Sequence, residues 1–439
     1  MTETPLPVND LRELRQDLSQ RDALKIADEL ARREPANRAK VFRLLSKEQA
    51  LAVFLLLDAA HQEELLGGLR DEQVRRLVEE LDPDDRARLF DEMPATVVRK
   101  LLAGLSPRER HLTAMLLGYP EESAGRIMSP KFVRLVPTMT ATEALARVRR
   151  RGEEAETIYA LPVTDDELRL VGIVELRDLI LLEPERTVAE IMRTDTHAVR
   201  VDEDQEKVAR LIQALDVLAL PVVDSEGRLV GMVTVDDAMD VLRDEQEEDL
   251  ARTGAAEPLG RPYFSASIFD LARSRALWLL MLSVAAILTV NVLSAFEPVL
   301  ETVVTLALFI PLLIGTGGNA GAQSATTVVR SMAVNEIRAG DILRVVLREG
   351  RVGLLLGAML GVLSLTPVWL FGGPELALVI SLTLVTVCTL ASLVGSLMPL
   401  LARQVGVDPA VVSAPFVTTI VDATGLLVYF LIARAVLGI

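Results

Sequence analysis

One stretch decides the class of fold, Ala410-VVSAPFVTTIVDATGLLVYFLIARAV-Leu437. It is apolar almost throughout, and about 20 apolar residues suffice for a helix to cross the hydrocarbon core of a bilayer. A single carboxylate, Asp422, lies near its middle. A charge at membrane depth is costly unless it faces water, a cation or a protein partner. Two interpretations follow: Asp422 is a packing residue hydrogen-bonded to a neighbouring helix, or it belongs to an ion pathway.

The charge of the chain is distributed unevenly. The 439 residues carry a formal net charge of −16, yet the part from Ser265 onward contains nine acidic residues, nine basic residues and no lysine. A neutral, apolar half therefore follows an acidic half. The acidic half argues against nucleic acid as a partner, because nucleic acid binds basic surfaces, and it suits a small cation. Residues 1–17 lack the apolar core of a signal peptide, so we expect the acidic half to lie in the cytoplasm.

Residues 1–125 have the pattern of many short helices. Apolar residues recur at three- and four-residue spacing, as at Leu77 and Leu81. The pairs Asp82-Pro83 and Ser106-Pro107 place a capping residue before proline, which is typical of a helix start. We expect an N-terminal helical superhelix over this range.

Residues 126–243 contain an internal repeat. Leu161-Pro-Val163 followed by Val171-Gly-Ile-Val174 is repeated as Leu220-Pro-Val-Val223 followed by Val230-Gly-Met-Val233. Each copy reads as a hairpin that leads into a helix. The duplicated spacing resembles a tandem pair of cystathionine-β-synthase (CBS) domains, which usually sense rather than catalyse.

The resemblance to CBS pairs also implies a ligand. These domains can bind adenosine nucleotides such as ATP, and Asp178 and Asp237 stand at positions that often hold the ribose. Glu175 departs from the pattern, because serine or threonine is common at its position.

The segment 244–270 is predicted to be an acidic connecting helix. Eight acids crowd into the fourteen positions 236–249: Asp236, Asp237, Asp240, Asp244, Glu245, Glu247, Glu248 and Asp249. Acids three or four positions apart on a helix repel each other. Such a run is either a solvated or disordered charge run or a switch whose carboxylates bind cations.

The C-terminal domain, 271–439, is predicted to contain five transmembrane helices, at about 276–296, 299–329, 352–371, 376–401 and 410–437. The second is predicted to be broken at Pro311 and at Gly315-Thr-Gly-Gly-Asn-Ala-Gly321. Unwound backbone at membrane depth is tolerated where it is buried or lines a path. The break therefore indicates either an ion path, with Asn319 and Gln323 on one face, or a packing kink.

Two further features concern assembly and orientation. The glycines at 353, 357 and 361 form a GxxxG edge, which is a candidate dimer contact. By the positive-inside rule the soluble domains lie in the cytoplasm, because arginines cluster at one side of the spans: Arg261, Arg273, Arg275, Arg330, Arg338, Arg344, Arg348, Arg351 and Arg403.

The polar groups at membrane depth suit a hard cation that prefers oxygen ligands. Magnesium keeps several of its waters, so its site supplies few direct ligands. One Asp422 per chain is little charge, but in a twofold-symmetric dimer two such carboxylates would face each other across a hydrated ion.

Three stretches together resemble the MgtE family of magnesium channels: Gly315-TGGNAGAQS-Ala325, Asp408-Pro-Ala410 and Val421-DATGL-Leu427. The order of helical domain, CBS pair, acidic connector and five spans is also similar to that family. The resemblance implies a homodimeric, magnesium-selective pore in the lipid of the inner membrane, which closes when cytosolic magnesium binds between the soluble domains.

The resemblance also implies roles for particular residues. The pore would hold Asp422 as its selectivity carboxylate, with Gly317, Gly318, Asn319, Gln323, Thr418 and Gly425 around it. Regulatory magnesium would be held by Asp84, Asp204, Glu206, Asp216, Asp237, Asp240, Glu245, Glu248 and Asp249, with Asp408 at the cytoplasmic mouth. Arg88 stands where a second acid is expected one turn after Asp84, so that site has fewer ligands or is replaced by a direct ion pair.

Other functions fit less well. An enzyme is disfavoured because the soluble half shows no nucleophile–base pair, phosphate loop or histidine-rich metal motif. An anion channel would prefer basic or amide-lined walls, whereas the deep charge here is negative. A transporter of another divalent cation, such as Co²⁺ or Mn²⁺, and a membrane-bound sensor without transport stay open as alternatives.

Overall fold

The computed structural model of the chain describes residues 8–91, 93, 95–259, 266–333, 336–412 and 414–439. These residues form two compact units. The first contains the described residues up to Glu245, and the second contains the described residues from Gln246 onward. Arg261, one of the arginines counted for orientation, lies outside the described residues.

The first unit begins with short helices, as the sequence predicts. Side chains of Asp22, Ser46 and Asp58 accept first-turn backbone N–H groups, which fixes where three of these helices begin. Apolar faces such as Ile26 and Phe54 meet in one buried core. The helices are α1 Val8–Ser19, α2 Ala23–Ala31, α3 Pro35–Phe42, α4 Lys47–Leu55, α5 Ala59–Gly68, α6 Asp71–Glu80, α7 Pro83–Asp91, α8 Ala95–Gly104 and α9 Pro107–Leu116.

The repeated segment follows and contains the strands of the unit. Its elements are α10 Ala124–Ile127, α11 Ala141–Arg151, β1 Ala160–Thr164, β2 Leu170–Glu175, α12 Leu176–Leu181, β3 Val199–Arg200, α13 Gln205–Leu215, β4 Ala219–Val223, β5 Leu229–Thr234 and α14 Val235–Thr253. Strand β1 pairs with β2 antiparallel, β4 pairs with β5 antiparallel, and β3 pairs with β4 parallel. Both hairpins shift register at the same position of the repeat. The predicted duplication is confirmed.

Each copy forms backbone hydrogen bonds with a short segment of the other copy. Ser129 of the first copy hydrogen-bonds through its backbone to Met232 of the second hairpin, and Arg193 of the second copy does so to Ile173 of the first. The glycines at 172 and 231 allow this approach, since a β-carbon there would lie 2.8 Å from the carbonyl oxygen of Arg193 and 3.0 Å from that of Ser129. The repeated glycine is therefore a packing requirement.

The acidic connector differs from the prediction of one helix over 244–270. Helix α14 begins directly after β5, at Val235, and ends at Thr253. Ala255 has a φ of 55° just beyond that end, a left-handed conformation that does not continue a helix. The predicted boundary at 243/244 therefore falls inside α14. The next described helix begins at Ile268.

The second unit contains the membrane-capable helices. Its elements are α15 Ile268–Ala285, α16 Ile287–Ala295, α17 Glu297–Thr302, a 3₁₀ helix Val304–Phe309, α18 Ile310–Ala333, α19 Ile342–Gln404 and α20 Ala414–Leu437. Among the described residues, four helical segments are long and apolar enough to cross a bilayer: Ile268–Ala295, Val304–Ala333, Ile342–Gln404 and Ala414–Leu437.

Helix α19 turns back on itself. Its 63 residues would extend about 95 Å, roughly three times the hydrocarbon thickness. The helical geometry breaks at Gly373, which has a φ of 85° and is followed by Pro374. The two halves then pack closely, since a β-carbon at Gly357 would lie 2.6 Å from the Cα of Val385.

The same packing corrects the sequence analysis on the GxxxG edge. Gly353, Gly357 and Gly361 are buried against the second half of α19. They contact their own chain, so they are not available as the dimer contact that the sequence suggested.

The predicted break in the glycine-rich stretch is wrong. Helix α18 runs unbroken from Ile310 to Ala333 and contains that stretch, and the irregular backbone lies earlier, in the 3₁₀ segment Val304–Phe309. Pro311 falls in the first turn, where its missing N–H costs nothing. The glycines let α18 and α19 approach each other closely: a β-carbon at Gly395 of α19 would lie 2.3 Å from the carbonyl oxygen of Gly321 of α18.

We predict that Gly357→Ala destabilises the second unit by about 1–3 kcal/mol, because the added methyl group meets backbone atoms that cannot move aside. The measurement is the apparent melting temperature of the full chain in detergent. The matched control is Gly315→Ala, since a β-carbon at Gly315 meets nothing within 4 Å. Equal melting temperatures for the two variants would contradict the packing of α19.

Candidate ion-binding sites

The carboxylate of Asp422 lies on α20 and is half-buried. Its Oδ1 atom is buried and has no hydrogen-bond partner among the described residues. It faces α18 at Gly318, where a β-carbon would lie 3.5 Å from that oxygen and 3.3 Å from the Cγ2 of Thr418. A buried carboxylate oxygen without a donor is unfavourable. The geometry therefore argues against a hydrogen-bonded packing residue and favours an oxygen that a cation or its hydration water can contact.

The other predicted pore residues divide into two groups. Asn319 and Gln323 lie on the exposed face of α18. Thr418 lies on α20, and its hydroxyl donates a hydrogen bond to the carbonyl oxygen of Pro415 at 2.8 Å. Gly317 and Gly425 are buried against Val387. These two glycines let neighbouring helices approach each other, and their place along a pore stays a prediction.

Tyr429 was missed by the sequence analysis. It is fully buried, and its hydroxyl donates to the carbonyl oxygen of Leu306 at 2.9 Å. This bond links α20, two turns after Asp422, to the 3₁₀ segment that precedes α18. Nothing in the sequence pairs these two positions, because they lie 123 residues apart.

A second polar cluster of this unit joins the end of α14 to the segment before α20. The guanidinium of Arg252 pairs with Glu248 on its own helix and with Asp408 at 2.7 Å. The carboxylate of Asp408 also accepts the backbone N–H of Ala410. Arg252 was missed, although its position four residues after Glu248 is a spacing that favours an ion pair.

In the first unit, Asp84 is the most buried of the predicted ligands. It lies on α7, is 6% exposed, and has an Oδ1 atom without a hydrogen-bond partner. Burial, and secondarily the charge of Asp237, raise the pKa of this carboxyl well above its usual value. A cavity of about 340 Å³ is lined by Asp84, Asp237 and ten neighbouring residues.

The acids around Asp84 share its environment. Burial raises the pKa of Asp237 to about 7, with Asp236 and Asp85 adding to the increase and a hydrogen bond from the hydroxyl of Thr234 opposing it. Burial together with Asp82 raises the pKa of Asp85 to about 6 and that of Glu156 to about 7. Glu156 was missed by the sequence analysis. Carboxylates held together in this way attract any cation that can enter.

Arg88 forms the direct ion pair that the sequence left open. Its two terminal nitrogens each lie 2.6 Å from a carboxylate oxygen of α14, one on Asp240 and one on Asp244. The neighbouring Ala87 belongs to the same buried cluster as Ala238 and Val241. The expected second acid is thus replaced by a cation that binds two acids of α14.

The remaining predicted ligands are spread along α13 and α14. Asp204 caps α13 by accepting the N–H of Lys207, and Glu206 pairs with Arg210 on the same helix. Glu245 accepts a hydrogen bond from Gln205. Asp216 ends α13 and lies away from Asp204, whereas Asp249 lies in the last turn of α14. Across the described residues, no group of three or more His, Cys, Asp or Glu side chains is arranged to hold a metal.

The first CBS copy departs from a nucleotide site where the sequence indicated. Asp178 lies half-buried in the first turn of α12. Glu175, at the N-cap position, pairs with Arg193 at 3.0 Å instead of capping the helix.

A helical domain, a CBS pair and membrane-capable helices with an unpaired carboxylate together define a membrane transport protein for cations. Family models match along the chain: "Divalent cation transporter" at residues 310–432, "MgtE intracellular N domain" at 21–122, and "CBS domain" at 124–184 and 188–244. The chain is 42% identical over 431 residues to the magnesium transporter MgtE of Thermus thermophilus, covering 97% of this chain and 95% of that protein. The chain belongs to the MgtE family, whose members are transporters and not enzymes.

Two further comparisons agree with this family. The magnesium transporter MgtE of Bacillus subtilis is 32% identical over 94% of each chain. The crystal structure of the cytosolic domain of the Mg²⁺ channel MgtE in complex with ATP is 39% identical, covers 53% of this chain and 95% of that chain, and superposes with a TM-score of 0.51.

We predict that the contact between α7 and α14 loosens as pH rises from 5 to 8. Asp85, Asp237 and Glu156 have folded pKa values of about 6 to 7, above their unfolded values near 4. The folded state therefore binds more protons in this range, and its stability is lost as the acids ionise. Hydrogen exchange of residues 83–91 in the full chain, corrected for intrinsic rates, measures the loss.

The matched variant for this pH dependence is Asp84→Asn, which replaces the most buried of these carboxyl groups by a neutral amide. We expect the hydrogen-exchange protection of residues 83–91 to change less with pH in this variant. Protection of residues 83–91 that increases from pH 5 to pH 8 in the unsubstituted chain would contradict the assignment.

Proposed function

We propose that this protein is a magnesium channel whose pore is formed around Asp422. The observation that carries the proposal is the buried Oδ1 atom of Asp422, which lacks a hydrogen-bond partner and lies beside Gly318. The relatives named as magnesium transporters support Mg²⁺ as the transported ion. Because Mg²⁺ keeps most of its waters, Asp422 contacts the hydrated ion, and few direct protein ligands are needed.

The pore requires two chains. A homodimer with the pore on its twofold axis brings two Asp422 carboxylates to one ion. The exposed positions of Asn319 and Gln323 on α18 support this arrangement, since polar residues on an open helix face suit a wet path better than lipid. The two halves of α19, joined at Gly373, count as two spans, which gives five spans per chain.

The orientation follows from the arginines at the helix ends. Arg330 and Arg403 stand in the last turns of α18 and α19, and the positive-inside rule places these ends in the cytoplasm. We infer that the protein is a multi-pass protein of the inner, plasma membrane, with its acidic domains in the cytoplasm.

Cytosolic magnesium closes the pore in this proposal. The support for regulatory ions is that Asp84 has a buried oxygen without a hydrogen-bond partner among the described residues and lies among acids with raised pKa values. Magnesium bound there would offset the repulsion between the acids of α7 and α14. Magnesium shifts the protein toward the closed arrangement only to the extent that it binds that arrangement better than the open one.

ATP is a further proposed ligand of the CBS pair. The support is the related cytosolic domain crystallised with ATP. In this proposal Asp178 and Asp237 are the candidate ribose contacts, and the hydroxyl of Thr234 donates a hydrogen bond to Asp237.

The carboxylate oxygens that Asp422 offers favour hard cations such as magnesium over softer ones such as Co²⁺. The single cysteine of the chain, Cys388, is buried where the halves of α19 meet. Competition by Co²⁺ and Mn²⁺ against Mg²⁺ uptake in proteoliposomes separates a magnesium channel from a channel for another divalent cation.

We predict that Asp422→Asn abolishes magnesium uptake into proteoliposomes, because the neutral side chain no longer attracts the hydrated ion. The control is Glu301→Gln, which removes an exposed carboxylate near the C-terminal end of α17. Both variants should elute from size-exclusion chromatography as the unsubstituted protein does. Uptake by Asp422→Asn at the rate of the control would refute the pore assignment.

We predict that neutralising Asp84, Glu156 and Asp237 together leaves uptake working but makes it insensitive to internal magnesium, because these neighbouring acids of the first unit, which arginine does not pair, are then gone. Uptake is measured against internal magnesium from zero to millimolar concentrations. A triple variant that stays fully inhibited at millimolar magnesium would rule out these residues as the sensor.

A further inference from the structure

Arg88 is the main positive charge of the contact between α7 and α14. Its guanidinium bridges Asp240 and Asp244, which lie one turn apart on α14, with both N–O distances at 2.6 Å. Arg243 of α14 pairs with Asp240 at 3.2 Å and lies 3.7 Å from Asp244. The four side chains form a network, and networks of this kind hold better than isolated surface pairs.

Apolar packing fixes Arg88 at this place. Ala87 is fully buried in the same cluster as Ala238 and Val241 of α14, which are 2% and 7% exposed. Arg88 follows Ala87 directly, so its side chain leaves α7 beside this buried cluster, where it lines the same cavity as Val241 and Asp244.

The contact between α7 and α14 has one side that contains Arg88 and another that contains Asp84, and these sides differ in their charge. On the Arg88 side, each acid of α14 already has a cationic partner. On the other side, Asp84 has a buried oxygen for which the described residues supply no donor. The first side is neutralised by the chain itself, whereas the second side keeps a carboxylate oxygen that a cation from solution can contact.

We propose that Arg88 is a tethered cation that holds α7 on α14 without a metal, so that part of the inhibitory closure is independent of magnesium. This inference rests on the proposed closure by cytosolic magnesium. Removing the guanidinium leaves Asp240 and Asp244 without their cationic partner from α7, and more magnesium is then needed to reach the same closure.

The test is magnesium uptake by the full chain in proteoliposomes, with each variant normalised to its own uptake at zero internal magnesium. Arg88→Ala should raise the half-inhibiting internal magnesium concentration about two- to fivefold, the range that two partly exposed ion pairs contribute to an equilibrium. Asp244→Asn should raise it in the same direction, and Asp244 is not among the proposed magnesium ligands. The matched control is Arg76→Ala, whose guanidinium pairs with Glu72 on its own helix and should shift nothing.

A charge exchange provides the rescue. Arg88→Glu combined with Asp244→Arg should return the half-inhibiting concentration toward the unsubstituted value, whereas Arg88→Glu alone should raise it further than Arg88→Ala. Limited proteolysis without magnesium should cut Arg88→Ala faster than Arg76→Ala.

Three results would overturn the inference. They are an unshifted half-inhibiting concentration for Arg88→Ala, a lower one, or equal shifts for Arg88→Ala and Arg76→Ala. Absence of magnesium uptake by the unsubstituted chain would instead refute the proposed function, so the two failures are distinguishable.

Discussion

The proposed function of the second unit depends on one carboxylate oxygen for which the described residues supply no donor. The Oδ1 atom of Asp422 is buried against α18 at a glycine, and a side chain at Gly318 would occupy the space beside it. The same face of α18 carries Gly317 and Gly321, which bring the helix close to α20 and to the second half of α19. Close packing of three helices thus leaves an acidic oxygen at membrane depth, where only a cation or ordered water stabilises it.

Among the acids considered for ion binding, some form an ion pair with an arginine and others do not. Asp240 and Asp244 share Arg88, and Glu248 and Asp408 share Arg252. Asp84 and Asp422 each keep a buried oxygen that has no hydrogen-bond partner among the described residues. Binding a cation is most favourable at these two acids, because one oxygen of each is already shielded from water and no guanidinium pairs with it. The arginines therefore decide which acids can respond to ions in solution.

The sequence predicted the repeated and periodic features well. The helix starts at Asp82-Pro83 and Ser106-Pro107, the duplicated hairpins and the membrane-capable apolar helices all depend on local composition, and the structure confirms them. The glycine-rich stretch was misjudged because glycine costs about 1 kcal/mol in a helix, and tertiary packing of α18 against α19 and α20 outweighs that cost. The GxxxG edge was assigned to a dimer for a similar reason, since the sequence cannot show which helix lies against a glycine face.

The candidate sites were predicted in part. Asp84 and Asp422 stand out in the sequence by their positions, but Glu156, Arg252 and Tyr429 join them through contacts between distant residues. Arg88 was recognised as a departure, and its partners became visible only when α7 was placed on α14. Long-range ion pairs of this kind have no periodic signal in a single sequence.

The most direct test of the account is a high-resolution density map of the protein in a lipid nanodisc at millimolar magnesium. The account predicts two chains related by a twofold axis, with density for a hydrated ion on the axis between the two Asp422 carboxylates. An Asp422 side chain that points toward lipid, or that lies far from the twofold axis, would contradict it.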